Sequence, residues 1–455
     1  MSLHSTTPLQ NTNTAIHSID VDVQGEWMHA LLRRLFPICR SLAGPGNRRT
    51  LDIVGQYVEL LKRHEIASGT HVFDWVVPDE WIPRSAEIVA PDGSVYARFS
   101  DNNLHLASHS EPVNVELELG ELLPHIYSLS DQPDVIPYVT RYYKKGWAFC
   151  MADRERRSLP PGRYKVHIDA DLTPGSMSLA EACLPGKSKK EILISTYICH
   201  PSMAYDNLSG VVVAVGLHRL LAALSQRYYS YRFLFLPETI GSIAWLSANR
   251  EHVKERTEAG LVLSCVGNDA PFTYKASRRG NCTVDRIAVS CMDERGQRMD
   301  FTPVTGSDER QFCSPGFDLP VGLVSCSYPG TFAQYHTSAD NPEITTARAL
   351  GQSLQYVYEI CLAFEANATR YRRVDPYCEP MLSKRDLYHP VSIRKGAHFD
   401  RNKDPRTALM WVLSMANGEK ALIDMAERSG LSVLALFEAA ELAANAGILE
   451  RIPNH

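Results

Sequence analysis

The sequence predicts an α/β protein with a mostly parallel sheet between two layers of helices, a β-rich insertion and a C-terminal winged-helix-like unit. From residue 191 onward, short apolar runs alternate with amphipathic helical patterns, which is typical of a three-layer α/β/α fold. Residues 71–185 are instead rich in Tyr, Val and Trp, with turn signals between short runs. Residues 376–455 are mainly helical in pattern. A chain of 455 residues is long enough for these units to have separate cores.

The individual elements are predicted in the following order. Residues 1–20 are polar and rich in Thr and Asn, which predicts a disordered tail. Residues 21–70 and 186–375 are assigned to one discontinuous domain around the insertion 71–185. Its strands are expected at 191–199, 231–236, 261–266 and 321–326, and its helices at 27–39, 49–61, 208–227, 243–254 and 345–366. In the unit 376–455, helices at 408–415, 419–428 and 433–445 and an apolar run at 448–452 have helix-turn-helix spacing.

Composition and charge exclude several classes of function. The net charge of −5 provides no polycation for nucleic acid or for an anionic membrane surface, and no apolar stretch is long enough to span a bilayer. The eleven cysteines are scattered and form no Cys-x-x-Cys pair, which is typical of buried free thiols. Because free thiols are typical of reducing compartments, we expect a cytoplasmic protein. Residues 401–455 hold six Lys or Arg against seven Asp or Glu, and the helix 433–445 has no basic residue. The C-terminal unit is therefore predicted to be a packing or homo-oligomer module that does not bind DNA.

Two histidines and two carboxylates follow apolar runs of the predicted sheet. His200 follows one run, Asp206 begins the next helix, Glu238 follows the run 232–237, and His336 lies in a loop rich in Thr and Ser. Each alone has an ordinary explanation, such as a helix cap or a surface histidine. Because the carboxyl ends of parallel strands meet at one edge of a sheet, the four together predict a metal site with a position left for water. This combination indicates a zinc hydrolase.

Around these residues the chain resembles the zinc aminopeptidase superfamily, which includes bacterial leucyl-type aminopeptidases and glutaminyl cyclases. The matching positions are His200, Asp206 to Gly210, Glu238 to Ser242, Ser307-Asp308 with Phe312, and His336 to Asp340. The whole chain is most similar to a bacterial aminopeptidase-like group with an inserted β-rich domain and a C-terminal winged helix. Segments 78–81 and 136–140 resemble that group's insertion. The resemblance implies zinc, cleavage of a small peptide or amide, and a cis peptide between Asp206 and Asn207.

The chain departs from the aminopeptidases at two metal-site positions. Those enzymes have two adjacent Glu residues, one acting as general base and one as ligand, whereas only Glu238 is present here. They also take a ligand Asp from the end of the next strand, where this chain has Ser264 or Cys265. We therefore expect one zinc per chain, with two as the alternative.

Two assignments of the metal ligands remain open. In the first, His200, Asp206 and His336 bind zinc, and Glu238 removes a proton from the attacking water. In the second, which resembles the one-zinc cyclases, Asp206, Glu238 and His336 bind the metal and Asp308 moves protons.

The residue next to His336 is a further candidate for catalysis. Tyr335 could donate a hydrogen bond to the oxyanion, with a packing role as the alternative. Two classes of function remain open for the whole chain. The first is a zinc-dependent amide hydrolase. The alternative is a non-catalytic metal-binding scaffold or regulatory protein that retains the fold, and the absence of a second Glu keeps this alternative open.

Overall fold

The structure, a computed structural model, describes residues 19–292, 294–385, 387 and 405–453. The predicted tail, apart from its last two residues, and residues 388–404 of the predicted C-terminal unit lie outside this range. The helices are α1 Val21–Leu35, α2 Pro45–Val54, α3 Leu119–Leu122, α4 Asp153–Arg157, α5 Ser209–Ala222, α6 Ile240–Ala248, α7 Arg250–Arg256, α8 Thr283–Ser290, α9 Glu309–Phe312, α10 Ala347–Asn367, α11 Pro405–Met415, α12 Leu422–Ser429 and α13 Val433–Asn445. The strands are β1 Lys62–Ala67, β2 His71–Val72, β3 Trp75–Val76, β4 Glu80–Val89, β5 Val95–Tyr96, β6 Val113–Glu118, β7 Ile126–Tyr127, β8 Phe149–Cys150, β9 Arg163–Thr173, β10 Ser176–Leu184, β11 Glu191–Tyr197, β12 Ser230–Leu236, β13 Thr257–Leu263, β14 Thr273–Lys275, β15 Gln297–Met299, β16 Val321–Ser325, β17 Thr369–Arg373 and β18 Leu449–Pro453.

An eight-stranded sheet forms the centre of the main domain. Its strand order is β1-β10-β12-β11-β13-β16-β14-β15. The four central strands, β12, β11, β13 and β16, pair in parallel, and the antiparallel pairs lie toward the edges. These four strands correspond to the four predicted ones. The predicted α/β class with a mostly parallel sheet is confirmed.

Helices cover both faces of this sheet. On β11, Ile192 and Ile194 belong to an apolar cluster shared with α1, α5 and α10. Leu193, between them, belongs to a second cluster formed with α6, α7 and α9. Because successive side chains of a strand point to opposite faces, a strand covered on both faces is apolar throughout. This accounts for the largely apolar runs from which the strands are predicted.

Several boundaries differ from the prediction. The predicted helix 243–254 is two helices, α6 and α7, which meet at Asn249. The Asn249 side chain donates a hydrogen bond to the Trp245 carbonyl, a local bond that competes with helix continuation. The predicted helix 49–61 ends at Val54. Strand β10, assigned to the insertion 71–185, lies in the large sheet, and β17, placed before 376, pairs with β18 of the C-terminal unit.

The insertion has its own antiparallel sheet, with strand order β5-β4-β9-β6. Along β9, exposed Arg163, Lys165 and His167 alternate with buried Tyr164, Val166 and Ile168. One face of this sheet therefore packs on a separate apolar cluster. A loop near residue 137 leaves this unit and reaches the main domain, where Pro137 forms an isolated β-bridge with Thr337.

The C-terminal unit is a winged helix that packs on the main domain. Helices α11, α12 and α13 precede β18, and buried residues from all three helices share one apolar cluster with α10. On the surface, Arg286 of α8 pairs with Asp424 and Glu427 of α12. The first half of α13 faces a cleft of about 340 Å³ lined also by Ser290, Cys291 and Glu359 of the main domain. No helix among the described residues is long and apolar enough to cross a lipid bilayer.

Candidate metal centre and active site

Three predicted metal ligands meet beyond the carboxyl ends of the central strands. His200 follows β11, Asp206 precedes α5, and His336 lies on the loop between β16 and α10. One ligand atom from each lies within 4.8 Å of the other two. His200 and Asp206 are buried, and the His336 side chain is 34% exposed. The structure thus brings together residues that are 136 positions apart in the chain.

The facing atoms of this group have no other partner. Asp206 Oδ2 and His336 Nε2 lie 3.1 Å apart. Both are buried, and neither makes a hydrogen bond within the described part of the chain. Unpaired buried donors and acceptors are costly, so such atoms in a folded protein call for an explanation. Two imidazoles and one carboxylate are a donor set that suits zinc, and the group therefore fits that ion.

The protonation states also suit a cation. Burial opposes ionisation of Asp206, but the charges of His200 and His336 outweigh it and lower the pKa of this carboxyl to about 2. Burial lowers the pKa of His200 to about 4. At neutral pH Asp206 is therefore an anion and His200 a neutral imidazole. Metal binding requires both of these states.

A second carboxylate fixes the loop that carries Asp206. Asp340 Oδ1 accepts hydrogen bonds from the N–H groups of Ala204 and Tyr205 at 2.9 and 2.6 Å, and its Oδ2 accepts from the N–H of Asp206 at 2.9 Å. The peptide between Asp206 and Asn207 is cis, which confirms the expectation from the resemblance. Asp340, the last residue of the segment His336 to Asp340, therefore has a structural role, because it fixes the backbone of the predicted ligand Asp206.

Glu238 lies beside this group rather than within it. Its Oε1 accepts a hydrogen bond of 2.6 Å from the Ser307 hydroxyl, and its Oε2 lies 3.9 Å from His200 Nε2. The side chain is 25% exposed. Burial of the carboxyl and the charges of Asp308 and Asp206 raise its pKa above the ordinary value. A carboxylate with a raised pKa beside a metal site suits a general base.

Asp308 and Tyr335 occupy supporting positions. Asp308 Oδ1 accepts hydrogen bonds from the Thr239 N–H and the Ser242 hydroxyl, at 2.7 and 2.8 Å, and so fixes the turn after Glu238. Its Oδ2 is buried without a partner among the described residues, and burial raises its pKa. The Tyr335 ring stacks on the His336 ring, with centroids 3.9 Å apart. Tyr335 thus contacts a predicted ligand directly, which gives it a packing role whether or not it also meets the substrate.

Several residues at the site were not predicted to be functional. Tyr138 of the insertion places its ring centroid 5.3 Å from that of His200 and 5.2 Å from that of His336. Its N–H donates to the His336 carbonyl at 2.7 Å. Cys199 Sγ lies 3.3 Å from His200 Nδ1, and Arg40 donates to the His200 carbonyl. Segment 136–140 resembles the insertion of the aminopeptidase-like group, but its residue types bind no metal, so the sequence does not predict the contact of Tyr138 with the two histidines.

The backbone around the site is strained. Ser202, Thr239, Cys265 and His336 all have positive φ angles, of 43°, 65°, 54° and 54°. Such angles are costly for residues other than glycine, particularly for a β-branched residue such as Thr239. The four lie on loops that follow β11, β12, β13 and β16, whose ends form the site. Strain of this kind persists where surrounding contacts fix the backbone, and it concentrates at functional sites.

Fold and site together define an aminopeptidase-like α/β protein that carries a C-terminal winged helix. The zinc aminopeptidase BSAP from Bacillus subtilis has a similar fold, with a TM-score of 0.56 and 13% identity over 75% of this chain and 94% of that chain. An M28 peptidase precursor from Shewanella amazonensis SB2B gives a TM-score of 0.51 at 11% identity, over 76% and 97% of the two chains. These identities show a shared fold alone.

The sequence comparisons identify the family. Residues 29–367 match DUF4910, a domain family of unknown function, and the chain belongs to that family. Residues 369–451 match a winged helix-turn-helix family. A Clostridium acetobutylicum protein, described as a candidate polysaccharide biosynthesis protein with an aminopeptidase-like domain, is 41% identical over 90% of this chain and 92% of its own. A crystal structure from C. acetobutylicum, of a candidate peptidase, has a TM-score of 0.88 at 38% identity over 95% and 98% of the two chains. The predicted resemblance to aminopeptidases is confirmed.

Proposed function

We propose that the protein is a metal-dependent hydrolase that cleaves an amide bond, with one zinc per chain bound by His200, Asp206 and His336. The observation that carries this proposal is the group of ligand atoms at the strand ends, in which Asp206 Oδ2 and His336 Nε2 face each other at 3.1 Å with no other hydrogen-bond partner among the described residues. The fold shared with zinc aminopeptidases supports it. A structural zinc site would use all four positions for protein ligands, whereas three protein ligands leave one position for water or substrate.

The surrounding side chains can support hydrolysis. Zinc bound here would act as a Lewis acid that polarises an amide carbonyl and lowers the pKa of a bound water. Glu238 is held by Ser307 on one oxygen and keeps the other toward His200, so it can take a proton from the attacking water and return it to the leaving amine. Asp308 holds the turn that carries Glu238. Tyr335, stacked on His336, would donate a hydrogen bond to the developing oxyanion in this proposal.

The substrate we propose is a small molecule with an accessible amide, such as a short peptide. The C. acetobutylicum relative is described by a role in polysaccharide biosynthesis, so amides carried on amino sugars belong in the same substrate panel. We also propose a cytoplasmic protein without a nucleic-acid partner, with a homo-oligomer as an option. Eleven cysteines without a disulfide among the described residues and a net charge of −5 support this.

The first experiment measures zinc per chain in purified protein by mass spectrometry, and then hydrolysis of aminoacyl-nitroanilides and N-acyl amino sugars. Glu238→Gln should retain zinc and lower kcat by at least about 100-fold, the usual scale for loss of a general base. Glu343→Gln is the control, because Glu343 is exposed on the loop that follows Asp340. Unchanged kcat in Glu238→Gln would contradict its role. A full equivalent of zinc without hydrolysis of any substrate would favour the alternative, a non-catalytic metal-binding scaffold.

A further inference from the structure

We propose that Tyr197 closes the position that a second metal ion would need, so that this site binds one ion. The inference rests on the proposed zinc site and deepens it, because it names the residues that set the metal count. Tyr197 is the last residue of β11, and its hydroxyl donates a hydrogen bond to Asp206 Oδ1. The other oxygen of the same carboxylate, Oδ2, is the one that lies 3.1 Å from His336 Nε2. The two oxygens of Asp206 thus have different environments.

A second residue holds the tyrosine in place. Tyr197 OH lies 2.8 Å from the Ser264 hydroxyl, which follows the neighbouring strand β13. Tyr197 is 3% exposed and Ser264 is fully buried. The hydrogen bonds that link Asp206, Tyr197 and Ser264 therefore lie inside the protein, where neither water nor a mobile side chain can replace them.

These two hydrogen bonds occupy the place where a second ion would be bound. Two-metal sites hold their ions about 3.5–4 Å apart, and a carboxylate that bridges them must offer one oxygen to each. Here Asp206 Oδ1 already accepts a hydrogen bond from the Tyr197 hydroxyl. The second ion also needs an acid of its own, and where the two-zinc aminopeptidases that the chain resembles have an aspartate, this chain has Ser264 or Cys265. A hydroxyl hydrogen directed at Oδ1 would repel a cation approaching that oxygen.

The same hydrogen bond positions Asp206 for the single ion. With Oδ1 fixed, the carboxylate cannot rotate, and Oδ2 stays directed at the space beside His336. Partners of this kind, which orient a ligand without touching the metal, typically change metal affinity by about 10–100-fold when removed. Tyr197 is therefore a positioning residue, and its effect appears in metal binding.

The test measures zinc stoichiometry and affinity, by mass spectrometry after dialysis and by competition with a chromophoric chelator. The wild-type protein should bind one zinc. Tyr197→Phe should bind one zinc at least about tenfold more weakly, and the double variant Tyr197→Phe with Ser264→Asp should bind two. Tyr231→Phe is the matched control and should bind zinc as the wild type does. Tyr231 is a fully buried tyrosine on the adjacent strand β12 whose hydroxyl also donates to a carboxylate, that of Glu365, away from the site.

The outcomes separate this inference from the proposed function. Two zinc ions in the wild type, or wild-type affinity in Tyr197→Phe, would overturn the inference and leave the hydrolase proposal standing. A single zinc in the folded double variant, with a Tm close to that of Tyr231→Phe, would overturn it as well. A wild-type protein that binds no zinc overturns both. If Tyr197→Phe does not fold, Ser264→Ala removes only the outer hydrogen bond, and unchanged zinc affinity in that variant would contradict the inference.

Discussion

Replacing Asp340 with asparagine should weaken both the fold and zinc binding, and the two effects can be measured separately. Asp340 is fully buried and accepts three backbone N–H groups, including that of the proposed ligand Asp206. An asparagine has one acceptor oxygen instead of two, and its NH₂ group would face an N–H donor. At least one of the three donors is then left buried without an acceptor.

The size of both effects follows from these contacts. An unsatisfied buried donor costs about 1–3 kcal/mol, so the free energy of unfolding should fall by about 1–3 kcal/mol in Asp340→Asn. The loop with Asp206 would also lose part of its anchor. We therefore expect zinc affinity to fall by about 10–100-fold, as for other residues that position metal ligands.

Urea unfolding in the presence of a chelator measures the first effect, and zinc competition with a chromophoric chelator measures the second. The matched control is Asp285→Asn. Asp285 is equally buried and accepts the N–H groups of Ser277 and Cys282, away from the site. Both variants should lose stability, and only Asp340→Asn should lose zinc affinity. Equal zinc affinity in the two variants would refute the positioning role of Asp340.

Three further predictions address the metal, the pH dependence and the winged helix. His336→Ala should hold much less than one equivalent of zinc after dialysis, and a full equivalent would contradict its assignment as a ligand. His218 is buried against Phe233, neither of its ring nitrogens is hydrogen-bonded within the described residues, and burial lowers its pKa from 6.5 to about 4. The unfolded chain therefore binds this proton at higher pH, so stability should fall by up to about 3 kcal/mol as the pH drops from about 6.5 to 4. In urea titrations, His218→Leu should not show this fall in stability at low pH. A pH dependence equal to that of the wild type would contradict the role of His218. The full chain should show no salt-dependent anisotropy change with micromolar duplex DNA, because the first half of α13 faces the main domain; salt-sensitive binding would disprove this.

The sequence predicts the central sheet and the candidate site well because both depend on local pattern. Strands such as β11 are covered on both faces, so all their residues are buried and most are apolar, and the polar residues that follow them mark one edge of the sheet. The edge strands β14 and β15 have three residues each, too short for a periodic pattern. Strand β10 lies within the predicted insertion 71–185 but pairs with β1 and β12 of the large sheet, and such pairing is a long-range property that its own residues do not specify.

The residues that support the site are harder to predict than its ligands. His, Asp and Glu have metal chemistry of their own, so their positions after strands are informative. Tyr197 and Ser264 act only through strand register, which places the ends of β11 and β13 side by side. Tyr138 acts through the docking of the insertion. A tyrosine at the end of a strand usually packs in the apolar core. The neighbouring residues in the sequence do not reveal that the Tyr197 hydroxyl donates a hydrogen bond to a carboxylate.

The insertion also restricts how a substrate can approach the site. Segment 136–138 is bonded to the loop that carries His336, because Ile136 exchanges hydrogen bonds with Ser338 and Tyr138 donates to the His336 carbonyl. The Tyr138 ring lies close to the rings of both histidines. Of the proposed site residues, His200 and Asp206 are closed to solvent, whereas His336 and Glu238 remain 34% and 25% exposed. In the proposed hydrolase, a substrate amide would therefore enter between Glu238 and His336, which favours a small or terminal group over the middle of a folded chain.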